Sequence, residues 1–195
     1  MRVFEWSRTI VLVVLFFPFI CSGQDCDFSR KRAKKAKKHF TDQKVLKATV
    51  QRNLFGKFSH GATTNFVRTD KNNYYLSLVF IREFGKRIDI MDKDPVVMQF
   101  EDNSILTLYP DKTKLGKFTL PVTTETIDPY YTIREEQLKL ISAQPIKHVK
   151  IYFTSDKVDE DKRGMDDLGT FFEYEILSTR YQSSLIEAAN CILQE

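Results

Sequence analysis

The part of the sequence with the clearest potential for chemistry is acidic. A cation site could draw on five aspartates between positions 156 and 167, namely Asp156, Asp159, Asp161, Asp166 and Asp167. Asp159, Asp161 and Gly164 follow the spacing of positions 1, 3 and 6 of the twelve-residue calcium-binding loop. Arg163 and Thr170 stand where that loop needs an oxygen ligand and a bidentate glutamate. The spacing therefore favours a solvated acidic loop, with an irregular cation site as the alternative.

Residues for catalysis are sparse. The 3 histidines are His39, His60 and His148, and none belongs to a helical zinc-binding pair. The sequence has no Gly-x-Ser-x-Gly elbow, no Cys-x-x-Cys and no phosphate-binding glycine loop. Glycoside hydrolysis needs a pair of carboxylates, which the fold could bring together from Glu101, Asp102, Glu173 and Glu175. No cofactor is indicated, and a non-enzymatic protein is favoured over a hydrolase that uses acidic residues.

One segment is strongly basic. Seven cations lie within nine positions: Arg30, Lys31, Arg32, Lys34, Lys35, Lys37 and Lys38. Phe28, Ala33, Ala36 and Phe40 form a thin uncharged stripe at helical spacing, which predicts a marginal helix. Such a segment can attach to an anionic partner, a phospholipid headgroup or an acidic polysaccharide, at ~1 kcal/mol per cation. The pattern favours the simpler interpretation, which is a solvated spacer between an export signal and a domain.

The rest of the chain has a different charge. The formal net charge is +4, but acidic residues outnumber basic ones once this segment and the residues before it are set aside. A nucleic-acid-binding domain would spread cations over its fold and interleave them with aromatic rings. Nucleic acid is therefore disfavoured as a partner. The sequence leaves the partner unknown, and an anionic component of the cell envelope is one candidate.

The N-terminus has the order of a signal peptide. Arg2 and Arg8 precede an apolar stretch at 9–20, which the small residues Ser22 and Gly23 follow. Twelve residues make a helix of about 18 Å, which is short of a hydrocarbon core of about 30 Å. We expect cleavage after Gly23 and export to the periplasm, the outer membrane or the medium. The cations downstream oppose translocation, so a membrane anchor with an uncleaved helix is the alternative.

Cleavage would leave two cysteines, Cys26 and Cys191. Because thiols oxidise in exported proteins, we predict that these two form a disulfide. On the chain-entropy model, closing so long a loop stabilises the fold by ~4 to 5 kcal/mol. It would also hold the basic segment against the last helix. The alternative is two free thiols.

The chain has 195 residues, of which 42% are hydrophobic, and this is enough for one packed core. We divide it into a signal peptide (1–23), a basic N-terminal segment (24–40) and a single α+β domain (41–195).

The stretch 74–81 is apolar on both faces, which predicts a central strand. Two alternating stretches around a four-residue polar loop predict a hairpin over 96–109. Further strands are predicted at 45–50, 87–91, 117–122, 148–153 and 172–176.

Two helices are predicted within this domain. Thr132 and Glu135 have the spacing of a capping box, and the helix that they begin must end before Pro145. A last helix begins at about Thr179 and buries Tyr181, Leu185, Ala188 and Ile192. The order of strands and helices predicts an α+β fold with a mostly antiparallel sheet and both helices on one face. In strand 45–50, the face with Leu46, Ala48 and Val50 is expected to be buried.

Several short motifs resemble a family of small secreted proteins of unknown function from Bacteroidota. The matching residues are Cys26, Phe40 and Thr41 with Thr49, Glu136 with Leu138 and Ile141, Ile146 with Val149, Lys150, Ile151 and Tyr152, and Asn190, Cys191 and Ile192. Lys150 stands where the pattern has an arginine, and the basic segment stands where it is more acidic. The resemblance implies secretion and a fold of this kind, and it implies no reaction.

Overall fold

The computed structural model describes residues 26–55, 62–82, 88–116, 125–155 and 164–194. Its helices and strands follow in this order: α1 (Arg30–His39), β1 (Val45–Ala48), β2 (Arg52–Phe55), β3 (Ala62–Thr69), β4 (Tyr74–Arg82), β5 (Ile88–Asp89), β6 (Val96–Phe100), β7 (Ile105–Leu108), β8 (Glu125–Ile127), β9 (Tyr130–Ile133), α2 (Glu135–Ala143), β10 (Ile146–Ser155), β11 (Gly164–Asp166), β12 (Gly169–Glu175) and α3 (Thr179–Leu193). The predicted signal peptide 1–23, the predicted strand 117–122 and His60 lie outside the described residues.

The described strands form two antiparallel sheets of six strands each. In the first sheet β4 is central, with β3 on one side and with β8 and β9 on successive parts of the other side. Strands β1 and β2 both pair with β3. In the second sheet β10 lies between β12 and β6, which pair in turn with β11 and β7. Strand β5 pairs with the end of β10.

Both sheets contribute to one main core. They meet where β7 approaches β9, and there the Thr132 amide donates to the Tyr109 carbonyl at 3.1 Å. Side chains from the two sheets, α2 and α3 fill the core, among them Leu54, Phe66, Leu76, Met98, Phe100, Leu138, Val149, Ile151, Leu185 and Ile192. The α+β class is therefore as predicted, but the single sheet was wrong. Sheet membership depends on pairing between distant segments, which local periodicity does not encode.

The strongest sequence patterns located their elements well. Strand β4 is the central strand predicted at 74–81, with Leu76 and Leu78 in the main core and Tyr75 buried on the opposite face. The predicted hairpin is β6 and β7. In its turn, Asn103 has a left-handed φ of 67°, and Asp102 Oδ1 accepts the Ser104 amide at 2.9 Å. The side-chain acceptor and the left-handed asparagine are typical of tight polar turns.

The helices differ from the prediction in number, start and placement. The described residues contain three helices, because α1 forms where the sequence predicts a marginal helix, whereas the fold prediction counted only the two helices of the domain. Helix α2 begins at Glu135, since Thr132 is held in β9, and Gln137 Oε1 accepts the Arg134 amide at 2.9 Å. Helices α2 and α3 pack on the main core, whereas α1 packs on the opposite face of the first sheet. The prediction put two helices on one face of a single sheet, and it did not include α1 on the opposite face.

The buried face of β1 also differs from the prediction. Val45 and Ala48 are buried, while Leu46 is 47% exposed. The register explains this, because Val45 lies opposite Thr69 and Lys47 lies opposite the adjacent Arg68. Leu46 is thus the extra residue of a β-bulge, which changes the alternation of faces along the strand.

Candidate anion-binding surface

Helix α1 begins with a side-chain cap. Ser29 Oγ accepts the Arg32 amide at 3.2 Å, which satisfies one of the free amides of the first turn. The charges of the helix have mixed effects on its stability. Lys37 and Lys38 in the last turn complement the helix dipole, whereas the cations of the first turn oppose it. The net effect of these charges is therefore small, and a helix of 10 residues depends on packing.

A small apolar cluster supplies that packing. Ala36 is fully buried and Phe40 is 2% exposed. The Phe40 ring centroid lies 4.2 Å from that of Tyr75 and 5.1 Å from that of Tyr130. The cluster, separate from the main core, consists of Ala36, Phe40, Val45, Ala48, Val67, Tyr75 and Tyr130, with Ala33 packed against it. Three residues of the predicted stripe, Ala33, Ala36 and Phe40, thus pack α1 on the first sheet, whereas Phe28 lies before the helix and is exposed.

The segment before α1 is also fixed. The Ser29 amide donates to the Ala48 carbonyl at 2.8 Å, and the Val50 amide donates to the Asp27 carbonyl at 3.1 Å. The predicted pairing of Cys26 with Cys191 is present as a disulfide with a Cα–Cα distance of 5.4 Å. Both ends of α1 are therefore attached to the rest of the protein, through Cys26 on one side and Phe40 on the other.

One flank of α1 faces carboxylates. Lys35 Nζ lies 2.7 Å from Asp128 Oδ2, and the other oxygen of Asp128 lies 3.3 Å from Lys114 Nζ. His39 Nε2 lies 3.2 Å from Asp111 Oδ2. These contacts pair Lys35 with a carboxylate that it shares with Lys114, and they orient His39, so this flank of the helix is paired within the protein.

The opposite flank carries the remaining charge. Arg30, Lys31, Lys34, Lys37 and Lys38 are all exposed, and we call these five the cationic face. At 100° per residue they span a sector of about 120°, and they extend about 12 Å along the helix axis. Within the described parts of the chain, none of the five lies at ion-pair distance from a carboxylate. The remaining cation of the segment, Arg32, is partly buried.

The environment of His39 makes it a poor contributor to this positive charge. Its ring packs against Phe40 at 4.6 Å and against Tyr130 at 4.5 Å between centroids. Burial lowers the pKa of His39 below 6.5, although the hydrogen bond to Asp111 acts in the opposite direction. Burial likewise raises the pKa of Tyr130 to about 12. His39 is therefore neutral at physiological pH, and the charge of the surface comes from the lysines and arginines.

An exposed aromatic ring lies just before α1 in the chain. Phe28 is 40% exposed and pairs with Thr49 in an isolated β-bridge. The Nζ atom of Lys47 lies 5.0 Å from the centroid of its ring. Phe28 is thus held at the start of α1 by backbone pairing, with part of its ring in contact with solvent.

The predicted cation site is only partly within the described residues. Asp156, Asp159 and Asp161 lie outside them. Asp166 is occupied, because its Oδ2 accepts the Tyr152 hydroxyl at 2.6 Å and its Oδ1 accepts the Leu168 amide at 2.9 Å. The Tyr152 hydrogen bond lowers the pKa of Asp166. Asp167 is exposed in the same turn, and the described residues contain no group of three or more potential metal ligands.

The candidate carboxylates for hydrolysis lie on separate elements. Asp102 Oδ1 accepts both the amide and the hydroxyl of Ser104 in the turn after β6. Glu173 and Glu175 are exposed on β12, opposite Lys150 and His148 of β10. No described contact joins these carboxylates into a pair.

A shallow cleft lies beside the disulfide. It has a volume of about 20 Å³ and is lined by Asp27, Thr49, Val50, Arg52, Glu187, Ala188 and Cys191. Arg52 Nη2 lies 3.5 Å from Asp27 Oδ2, so the charges of the lining partly pair with one another. The cleft is small and carries both signs of charge, whereas the cationic face carries one.

The fold and this surface define an α+β protein with two antiparallel sheets and a fixed, one-sided cationic helix. Among the described helices, none combines the length and the apolar character needed to cross a membrane. No protein-family model, curated protein or solved structure matches the chain.

Sequence reasoning found the seven basic residues but missed the role of Asp111 and Asp128. These two lie far along the chain from α1, and no local pattern links them to it.

Proposed function

We propose that this protein is an exported, non-enzymatic binding module that attaches to an anionic component of the cell envelope through the cationic face of α1. One observation carries the proposal: five exposed cations on a fixed helix have no carboxylate partner among the described residues. The apolar stretch near the N-terminus, the disulfide and the resemblance to secreted Bacteroidota proteins support export.

The fixed position of α1 favours binding. A basic tail that orders only on contact loses conformational entropy, but the cationic face is already ordered by Phe40 and its neighbours. At ~1 kcal/mol per cation, five cations contribute about 5 kcal/mol, which corresponds to a dissociation constant of about 0.2 mM. Attachment of this strength is reversible and strongly dependent on salt, because screening acts over about 8 Å at physiological ionic strength.

The test compares two variants with the same change in net charge. The first replaces Lys31, Lys34 and Lys38 of the cationic face by glutamine. The matched control replaces the exposed residues Lys93, Lys147 and Arg180 by glutamine. Binding is measured at low salt to vesicles that contain an anionic phospholipid and to an immobilised acidic polysaccharide.

We expect the first variant to lose about 150-fold in affinity, which is about 3 kcal/mol, and the control to change little. Equal losses in the two variants would show that net charge alone is responsible. Wild-type protein that binds neither probe, even at low salt, would exclude the proposed function.

A further inference from the structure

A second basic segment lies beside the paired flank of α1. It comprises residues 111–114, which follow β7 in the chain. Asp111 Oδ2 lies 3.2 Å from His39 Nε2 in the last turn of the helix. The Asp111 amide donates at 2.7 Å to the carbonyl of Tyr130, a residue of the apolar cluster under α1. The segment is therefore held next to the helix by side-chain and backbone contacts.

Two lysines from different elements hold one carboxylate. Lys35 Nζ of α1 lies 2.7 Å from Asp128 Oδ2, and Lys114 Nζ lies 3.3 Å from Asp128 Oδ1. The backbone of Lys114 is fixed by hydrogen bonds of its amide and its carbonyl to Ile90, at 2.7 and 2.9 Å. Since two cations share one carboxylate, this contact joins the segment to the helix and keeps a net positive charge.

Lys112 adds a further cation at the end of the helix. It is exposed, and within the described parts of the chain no carboxylate lies at ion-pair distance from it. Its neighbour Asp111 is directed to His39, the residue that follows Lys38 of the cationic face. The positive charges of Lys112 and Lys114 both act to lower the pKa of His39, which shows that these two lysines lie close to the last turn of α1.

The paired flank borders the cationic face. At 100° per residue, Lys35 lies about 40° from Lys31 and about 60° from Lys38 around the helix axis. Positive charge therefore continues from these two residues through Lys35 to Lys114, with Asp128 between the two elements.

We infer that the anion-binding surface has two parts, the cationic face of α1 and the lysines Lys112 and Lys114, and that Asp128 occupies the position where the two parts meet. This inference rests on the proposed function and adds residues from a second element. Asp128 presents to Lys35 and Lys114 a carboxylate, which is one of the groups that an anionic partner presents. A surface built on two elements fits a partner that carries several anionic groups side by side rather than a single small anion.

The first test removes the lysines of the second part in the full chain. The double variant Lys112→Gln, Lys114→Gln is matched by Lys147→Gln, Arg180→Gln, which removes the same charge from exposed positions on β10 and α3. Affinity is measured at low salt for vesicles that contain an anionic phospholipid and for an immobilised acidic polysaccharide. We expect the first variant to lose about 30-fold in affinity, which corresponds to 2 kcal/mol, and the control to change little.

The second test changes affinity in the opposite direction. Asp128→Asn releases Lys35 and Lys114 for the partner, so it should raise the affinity about fivefold, which corresponds to 1 kcal/mol. Asp167→Asn is the matched control, because it removes the same charge from the exposed turn between β11 and β12 and should change little. A merely structural role for Asp128 predicts no gain.

Two results would overturn the inference and leave the proposed function in place. One is a double lysine variant that binds as tightly as its control, while the variant of the cationic face still loses affinity. The other is Asp128→Asn with the same affinity as Asp167→Asn. Absence of binding of the wild-type protein to both probes would instead remove the proposed function itself.

Discussion

The structure makes the substitution Phe40→Ala a decisive test of how α1 is held. Phe40 is 2% exposed and contacts both Tyr75 and Tyr130 through its ring. Replacing a buried phenylalanine by alanine typically costs about 3 to 5 kcal/mol. Because the cluster around Phe40 is separate from the main core, this loss should fall on α1 rather than on the sheets.

Helix α1 has little stability of its own to offset the loss. It has 10 residues, fewer than the ~12 to 15 that isolated helices need in water. Its cations also repel one another at helical spacings of three and four, as in Lys34 with Lys38, at about 0.2 to 0.5 kcal/mol per pair. Without the Phe40 ring, we expect the helix to unfold locally while the rest of the fold persists.

Hydrogen exchange measured by mass spectrometry can separate these events. In Phe40→Ala, amides of residues 30–39 should lose about 150-fold or more in protection, the equivalent of 3 kcal/mol, while amides of β4 and β10 keep theirs. Phe28→Ala is the matched control, since the same side chain is lost from a position that is 40% exposed. It should leave α1 protected. Unchanged protection of α1 in Phe40→Ala would refute the claim that packing of this ring holds the helix.

Three further outcomes are expected. The double variant Cys26→Ser, Cys191→Ser should lower the free energy of unfolding by about 4 to 5 kcal/mol in a urea titration, because the disulfide spans 165 positions. An unchanged midpoint of the titration would contradict this. Gly116→Ala should lower the free energy of unfolding by about 1 to 3 kcal/mol in the same titration, since a Cβ there would overlap the Ile88 carbonyl oxygen. A variant as stable as the wild-type protein would show that the backbone can move to accommodate the methyl group. The free energy of unfolding should fall as the pH drops below 6.5, because the pKa of His39 is lower in the folded protein and the unfolded chain therefore binds the proton more readily. His39→Gln should remove this part of the pH dependence.

The elements that could be predicted from the sequence are those with a strong local signal. Strand β4 is apolar on both faces, the hairpin of β6 and β7 has a polar four-residue turn, and α3 repeats apolar residues at helical spacing. The cysteine pair followed from counting the thiols that would remain after the predicted cleavage at Gly23. In each case the information lies within a few residues or in composition, so no knowledge of distant contacts was needed.

The features that were missed depend on distant contacts. The exposure of Leu46 follows from a bulge opposite β3, and the division into two sheets follows from which strands pair. The basic segment has an apolar stripe at helical spacing, but the stability of α1 depends on its packing against Tyr75 of β4 and Tyr130 of β9. The pairing of Lys35 with Asp128 likewise decides which cations stay exposed, and it joins residues far apart in the chain.

The charge distribution of α1 favours a role in binding over a role in stability. Three cations in its first turn oppose the helix dipole, and the like charges along its exposed side repel one another. Neutral or acidic residues at Arg30 and Lys31 would give a more stable helix on the same apolar cluster. Departures from local stability rules are expected where a surface serves function, provided that the rest of the structure compensates. Here the Phe40 cluster and the disulfide compensate, so the protein can keep five cations together on one exposed side of a fixed helix.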